Sequence, residues 1–145
     1  DLLVDVKRNR LWVCTAANER FVRFEDVDRG RSALLEFDLS SLELKGRYPI
    51  PVDGLPHSLG SMTQTPSGDI FVVDRTLPIV FVKSMIEDRI APLFMSSNMV
   101  SLRDITSSPN GKKLYVADYE MGISVIDLET QDAGFVRVPA NLNLG

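Results

Sequence analysis

A turn-then-strand unit occurs three times in this chain, and no other feature restricts its fold as strongly. The copies are Lys7-Arg8-Asn9-Arg10-Leu11-Trp12-Val13, Pro66-Ser67-Gly68-Asp69-Ile70-Phe71-Val72-Val73-Asp74 and Pro109-Asn110-Gly111-Lys112-Lys113-Leu114-Tyr115-Val116-Ala117-Asp118. Each has a polar turn, then an aliphatic residue, an aromatic residue and Val. Pro presets φ in such turns, and Gly or Asn accepts positive φ. The β-branched and aromatic residues that follow favour strands. The unit continues beyond that strand. Asp127 lies thirteen positions after Leu114, and Lys83 thirteen after Ile70. In the first copy the matching Glu36-Phe37-Asp38-Leu39 places Asp38 twenty-seven positions after Leu11, so this copy carries fourteen extra residues.

The spacing from Ile70 to Leu114 is 44, and that from Leu11 to Ile70 is 45 once the insertion is removed. A period near 44 with four short strands per unit is that of a β-propeller blade. The expected strands are 2–6, 11–15, 33–39 and 44–50, then 60–65, 69–74, 79–83 and 91–95, then 102–107, 113–117, 122–128 and 134–138. The fold class is therefore all-β: four-stranded antiparallel blades at approximately 1–50, 60–95 and 102–138, within one propeller domain over 1–145. No helix is expected, because Lys83 to Ile90 lacks a sustained 3.6-residue period. Residues 16–32 form the insertion, dense in both charge signs and containing Phe21 and Phe24. It reads as a solvated loop with its two Phe packed on a blade edge, or as a lid over a binding face. The Pro-rich stretch 49–59 reads as a connection between blades.

Three blades leave two apolar sheet faces uncovered, more than a soluble monomer usually shows. Both ends read as cut within a longer array. The expectation is that these residues supply half of a larger ring, or that two chains complete one. Sixteen basic and twenty acidic residues give a net charge of −4, and no clustered basic face points to nucleic acid. No apolar stretch is long enough for a membrane helix. The single Cys14 forms no internal disulfide. It sits in the apolar run 11–15 and reads as a buried thiol, which leaves the redox compartment open. His57 is the only histidine; with no second His and no Gly-x-Ser-x-Gly elbow, it reads as a surface or satisfied loop residue. No glycine-rich loop suits a phosphate.

The third unit, through Ser108-Pro109-Asn110-Gly111-Lys112-Lys113-Leu114-Tyr115-Val116-Ala117-Asp118 and Gly122-Ile123-Ser124-Val125-Ile126-Asp127-Leu128, resembles a blade of the YVTN, NHL and gluconolactonase-like propeller superfamily. The resemblance implies a six-bladed ring whose ligands bind at the channel mouth, where the inner strands begin. It also implies, for the lactonase branch, a divalent metal held there by carboxylates and Asn amides, about eight residues before each turn. Those positions hold Arg103, Gly60 and Asp1 here. Only Asp1 suits a metal, so a divalent ion is expected only if further blades supply ligands, and no other cofactor is identified.

At the end of the second strand of their units, Asp74 and Asp118 read as turn anchors that accept backbone N–H bonds. Alternatively, Asp74, Arg103, Asp104 and Asp118 converge on the mouth as a polar binding site, with Tyr119 adding a stacking surface. The expected function is that of an exported or periplasmic binding or scaffold propeller, which takes a small molecule or a protein at the mouth. The other reading is a metal-dependent lactonase-type hydrolase. Whether the chain is an enzyme is left open, because such blades serve hydrolases, sensors and scaffolds alike.

Overall fold

The computed structural model describes residues 1–20 and 22–136. Twelve strands form three four-stranded antiparallel sheets, each in simple chain order. Blade 1 contains β1 (Leu2–Asp5), β2 (Arg10–Ala16), β3 (Ser32–Asp38) and β4 (Leu44–Pro49). Blade 2 contains β5 (Leu59–Gln64), β6 (Ile70–Asp74), β7 (Ile79–Lys83) and β8 (Ile90–Met95). Blade 3 contains β9 (Leu102–Ser107), β10 (Lys113–Asp118), β11 (Gly122–Asp127) and β12 (Ala133–Phe135). Every expected strand is present. The expected last strand, 134–138, runs in part outside the described residues. Among the described residues one 3-10 turn, Asp26–Asp28, stands where no helix was expected; it is a local turn inside the insertion.

The repeated turns take the backbone shape their residues allow. Asn9, Gly68 and Gly111 occupy equivalent positions at φ +54°, +105° and +69°, the left-handed region that Gly and Asn tolerate best. The β3–β4 and β11–β12 hairpins also match bond for bond. Asp38 Oδ1 accepts the N–H groups of Ser40 and Ser41, and Asp127 Oδ1 those of Glu129 and Thr130. Blade 2 has Lys83 at this position. Its ammonium donates to the carbonyls of Ser84 and Glu87, both at 2.6 Å. The side chain holds the turn with reversed polarity, and its Nζ also lies 4.6 Å from the centre of the Tyr48 ring.

Alternation along the strands divides the apolar residues between two interfaces. Trp12, Leu34 and Tyr48 of blade 1 pack against Leu59, Met62, Ile70 and Phe81 of blade 2. Phe71, Val73 and Val80 of blade 2 pack against Leu102, Ile105, Leu114, Val116 and Ile126 of blade 3. Blade 2 is thus covered on both faces, and β6 is buried throughout. The other face of blade 1 carries Leu2, Val4, Leu11, Val13, Leu35 and Phe37 in register, with Leu2 64% and Val4 54% exposed. On blade 3, Tyr115, Ala117, Ile123 and Val125 form the corresponding outward face. These are the two uncovered faces that a three-blade stack requires.

Cys14 packs at the edge of the blade 1–blade 2 cluster. Burial pushes its thiol up to about 11, against smaller opposing effects of the N-terminus and Arg75. At pH 8 only about one molecule in a thousand carries the thiolate at such a value. Cys14 is therefore expected to resist a thiol reagent such as DTNB at pH 8 in the native protein and to react at once in 6 M guanidinium. Rapid native labelling would show that β2 is not packed as described.

Candidate functional site

In every blade the inner strand starts beside the end of the second strand: Leu2 pairs with Val13, Leu59 with Asp74 and Leu102 with Asp118. One end of the blades is consequently built from the inner-strand starts, the connections between blades and the loops from second to third strand. In blades 2 and 3 those loops are short, and each is held by an aspartate. Asp74 is fully buried. Its Oδ1 accepts the N–H groups of Ser58, Thr76 and Leu77, while Oδ2 lies 2.6 Å from His57 Nδ1. Asp118 is 5% exposed; Oδ1 accepts the N–H groups of Glu120 and Met121, and Oδ2 those of Val100 and Ser101. Burial raises the Asp118 pKa, but the four backbone donors outweigh it and leave the carboxyl below its usual value. Its contribution to stability is thus present above the ordinary carboxylate pKa and is lost as pH falls through the lowered one.

Blade 1 has Thr15 where the other blades have these aspartates. No carboxylate holds a tight turn there, and the chain opens into the insertion between β2 and β3. The insertion is fastened to the next connection, since His57 N–H donates to the Gly30 carbonyl at 2.8 Å. His57 itself is not on the surface. It is 5% exposed, lies between Asp74 and Asp53, with Nε2 3.2 Å from Asp53 Oδ1, and meets Phe81 edge-on. It is a satisfied loop residue that bridges the blade 1–blade 2 connection to the end of β6.

The other candidate residues, Arg103, Asp104 and Tyr119, are exposed near that end. The Arg103 guanidinium stacks 5.5 Å from the centre of the Tyr119 ring, and Tyr119 is 76% exposed. Ser61 of β5 donates its hydroxyl to Asp104 Oδ1, tying the inner strands of blades 2 and 3 together. Arg103 therefore meets Tyr119 and Asp104 meets Ser61, whereas Asp74 and Asp118 direct their carboxyls into turns. Two further participants were not legible in the sequence: Ser61, and Arg75, whose side chain lies across Gly60 and occupies the space a Cβ would need there. A glycine at an inner-strand start next to an Arg that follows the turn aspartate is the one sequence signal for this contact. Of the positions where the lactonase pattern places metal ligands, Gly60 is covered by a guanidinium and Arg103 supplies another. Asp1, the third, accepts the Met62 N–H at 3.0 Å. Among the described residues no group of three or more His, Cys, Asp or Glu side chains is placed to hold a metal ion.

A larger concavity lies under the insertion at the edge of blade 1, with a volume of about 940 Å³. Its walls come from the ends of β2, β3 and β4 and from the loop, including Phe24, which was expected to pack on a blade edge. Phe24 also carries the Arg29 guanidinium 5.3 Å from its ring centre. Phe21 lies outside the described residues.

Sequentially ordered antiparallel blades that pack face to face define a β-propeller architecture. Comparison with known proteins agrees at the level of fold. The chain is similar to hydrazine synthase of Kuenenia stuttgartiensis, with 20% identity and a TM-score of 0.58 over 71% of this chain and 28% of that one. It is also similar to a chain in the nidogen–laminin complex, with 17% identity and a TM-score of 0.62 over 91% of this chain and 44% of that one. Both contain β-propellers, and the chain spans less than half the length of either. No protein-family model and no curated protein matches it. Among the described residues, no helix is long and apolar enough to cross a membrane.

Proposed function

We propose that this is a binding propeller that uses its channel-mouth face to take a small anionic molecule or an acidic segment of a protein partner. The observation that carries the reading is the exposed Arg103–Tyr119 stack beside the Ser61–Asp104 bridge, with Arg75 over Gly60 on the neighbouring inner strand. An exposed guanidinium over a phenol ring offers a planar fork of donors that suits a carboxylate. Asp104 and Ser61 add groups that recognise hydroxyls. Asp74 and Asp118 hold the loops that carry these residues. The resemblance to YVTN, NHL and gluconolactonase-like blades supports a six-bladed ring, in which further blades cover the two open apolar faces, and an exported or periplasmic setting. The nidogen–laminin neighbour is part of a protein complex, which favours a protein partner. The guanidiniums near the mouth oppose a bound divalent cation, so no particular observation favours the lactonase reading.

Isothermal titration of the full chain with citrate, malate and a polyglutamate peptide tests this. At least one of them is expected to bind, and Arg103→Ala/Tyr119→Ala to weaken that binding by about tenfold or more with an unchanged urea midpoint. Equal affinity in the double variant would refute the mouth site, and so would no binding of any probe.

A further inference from the structure

We infer that Asp53, His57 and Asp74 form a pH-sensitive clasp: a doubly protonated His57 ring bridges the two carboxylates, and loss of its outer proton as pH rises frees Asp53 and loosens the connection between blades 1 and 2. The imidazole lies between the carboxylates, with Nδ1 2.6 Å from Asp74 Oδ2 and Nε2 3.2 Å from Asp53 Oδ1. Its side chain is 4% exposed, that of Asp74 0% and that of Asp53 47%. One end of the triad is therefore sealed and the other meets water. The groups that face His57 come from four parts of the chain. The end of β6 supplies Asp74, the connection supplies Asp53, and β7 supplies the apolar Phe81, with ring centres 5.8 Å apart. The insertion supplies the Gly30 carbonyl, which accepts the His57 N–H. Of the arginines that adjoin these groups in sequence, Arg31 pairs with Asp28 and Arg75 lies across Gly60.

An ionised carboxylate only accepts hydrogen bonds. A neutral imidazole has one N–H and would turn a lone pair toward one of these oxygens, whereas the imidazolium donates to both. Burial disfavours a charged ring and adjacent anions favour it. The anions prevail here, because Asp74 is itself fully buried and needs a cation beside it. Asp53 stays ionised well into acid: the Leu55 N–H first, then the bond and charge of His57, hold its carboxyl below the usual range against the effect of burial. Raising the pH therefore removes a ring proton, which passes to solvent. It leaves from Nε2, on the open side, while the Nδ1–H stays on Asp74. The Nε2 lone pair then opposes Asp53 Oδ1, and the exposed carboxylate turns to water. The clasp thus holds at the lower pH, where the ring is charged, and opens as pH rises. More than the triad depends on it. Gly30, at a left-handed φ of +75°, sits against Pro56, and Ser32 Oγ accepts the Leu59 N–H at 2.9 Å. The connection and the end of the insertion are therefore joined on both sides of His57.

His57 is the only histidine, so its ring signals stand alone in a long-range ¹H–¹⁵N spectrum of the ¹⁵N-labelled full chain. A titration from about pH 5 to about pH 9 spans the range in which histidines change charge. Both ring nitrogens are expected to carry protons at neutral pH, and Nε2 alone to lose its proton as the pH rises. Amide exchange at His57 and Leu55, corrected for its intrinsic pH dependence, is expected to quicken about tenfold or more over the same interval, as the loss of a charged hydrogen bond allows. The variant Asp53→Asn removes only the outer charge, and its ring is expected to give up the Nε2 proton at lower pH than the parent's. A neutral ring at neutral pH, proton loss from Nδ1, or both protons kept to the end of the titration would overturn the inference. So would a ring titration with no change in amide exchange, or proton loss at an unchanged pH in Asp53→Asn.

Discussion

Asp74→Ala is expected to lower the free energy of unfolding by about 3–5 kcal/mol, the largest single effect among the polar residues. The substitution leaves the N–H groups of Ser58, Thr76 and Leu77 without their shared acceptor. It also strips a partner from a His57 ring that is 5% exposed. Each buried group left unsatisfied costs about 1–3 kcal/mol, because water does not replace the lost bond. Asp74→Asn keeps one carbonyl oxygen of the same shape, and its loss should be smaller, about 1–2 kcal/mol. Urea denaturation followed by circular dichroism measures both. A near-neutral Asp74→Ala would mean that other bonds hold the β6–β7 turn and the β4–β5 connection.

Leu114→Ala is expected to cost about 3 kcal/mol, within the range for a large aliphatic side chain removed from a packed core. Leu114 is fully buried in the blade 2–blade 3 interface, among Phe71, Val73, Val80 and Ile105. Its neighbour Tyr115 points to the other face of the same strand, where it is half-buried, so Tyr115→Ala should cost clearly less. The contrast between adjacent residues tests register as well as burial, because a one-residue slip exchanges the two faces. Reversed costs would refute the strand placement.

The architecture was legible because local chemistry and tertiary demand agree. Gly68 and Gly111 mark turns that need positive φ, and the runs Ile70-Phe71-Val72-Val73 and Leu114-Tyr115-Val116 are strand-forming, with Leu114 and Val116 buried and Tyr115 half-buried on the other face. Even Lys83, which breaks the repeat's pattern, keeps its role through reversed hydrogen bonding. The site was legible only in part. Arg103 meets Tyr119, whereas Asp104, the next residue of the same strand, turns to Ser61. The Asp74–His57 pair was hidden because its partners lie seventeen residues apart in sequence, on a Pro-rich connection and a strand end that meet only when blades 1 and 2 pack. Ser61 meets Asp104 across two blades, forty-three residues apart, and no spacing rule within one repeat reports such a contact. The insertion was recognisable by its length, but its cavity depends on where β4 places Arg47 and Ile50.

A chemical-shift map of the ¹⁵N-labelled full chain, titrated with the probe that binds in calorimetry, most directly tests whether the mouth is the binding face. The account predicts shifts centred on the amides of Ser61, Arg103, Asp104 and Tyr119. Shifts confined to the opposite end, at the turns of Asn9, Gly68 and Gly111, would contradict it.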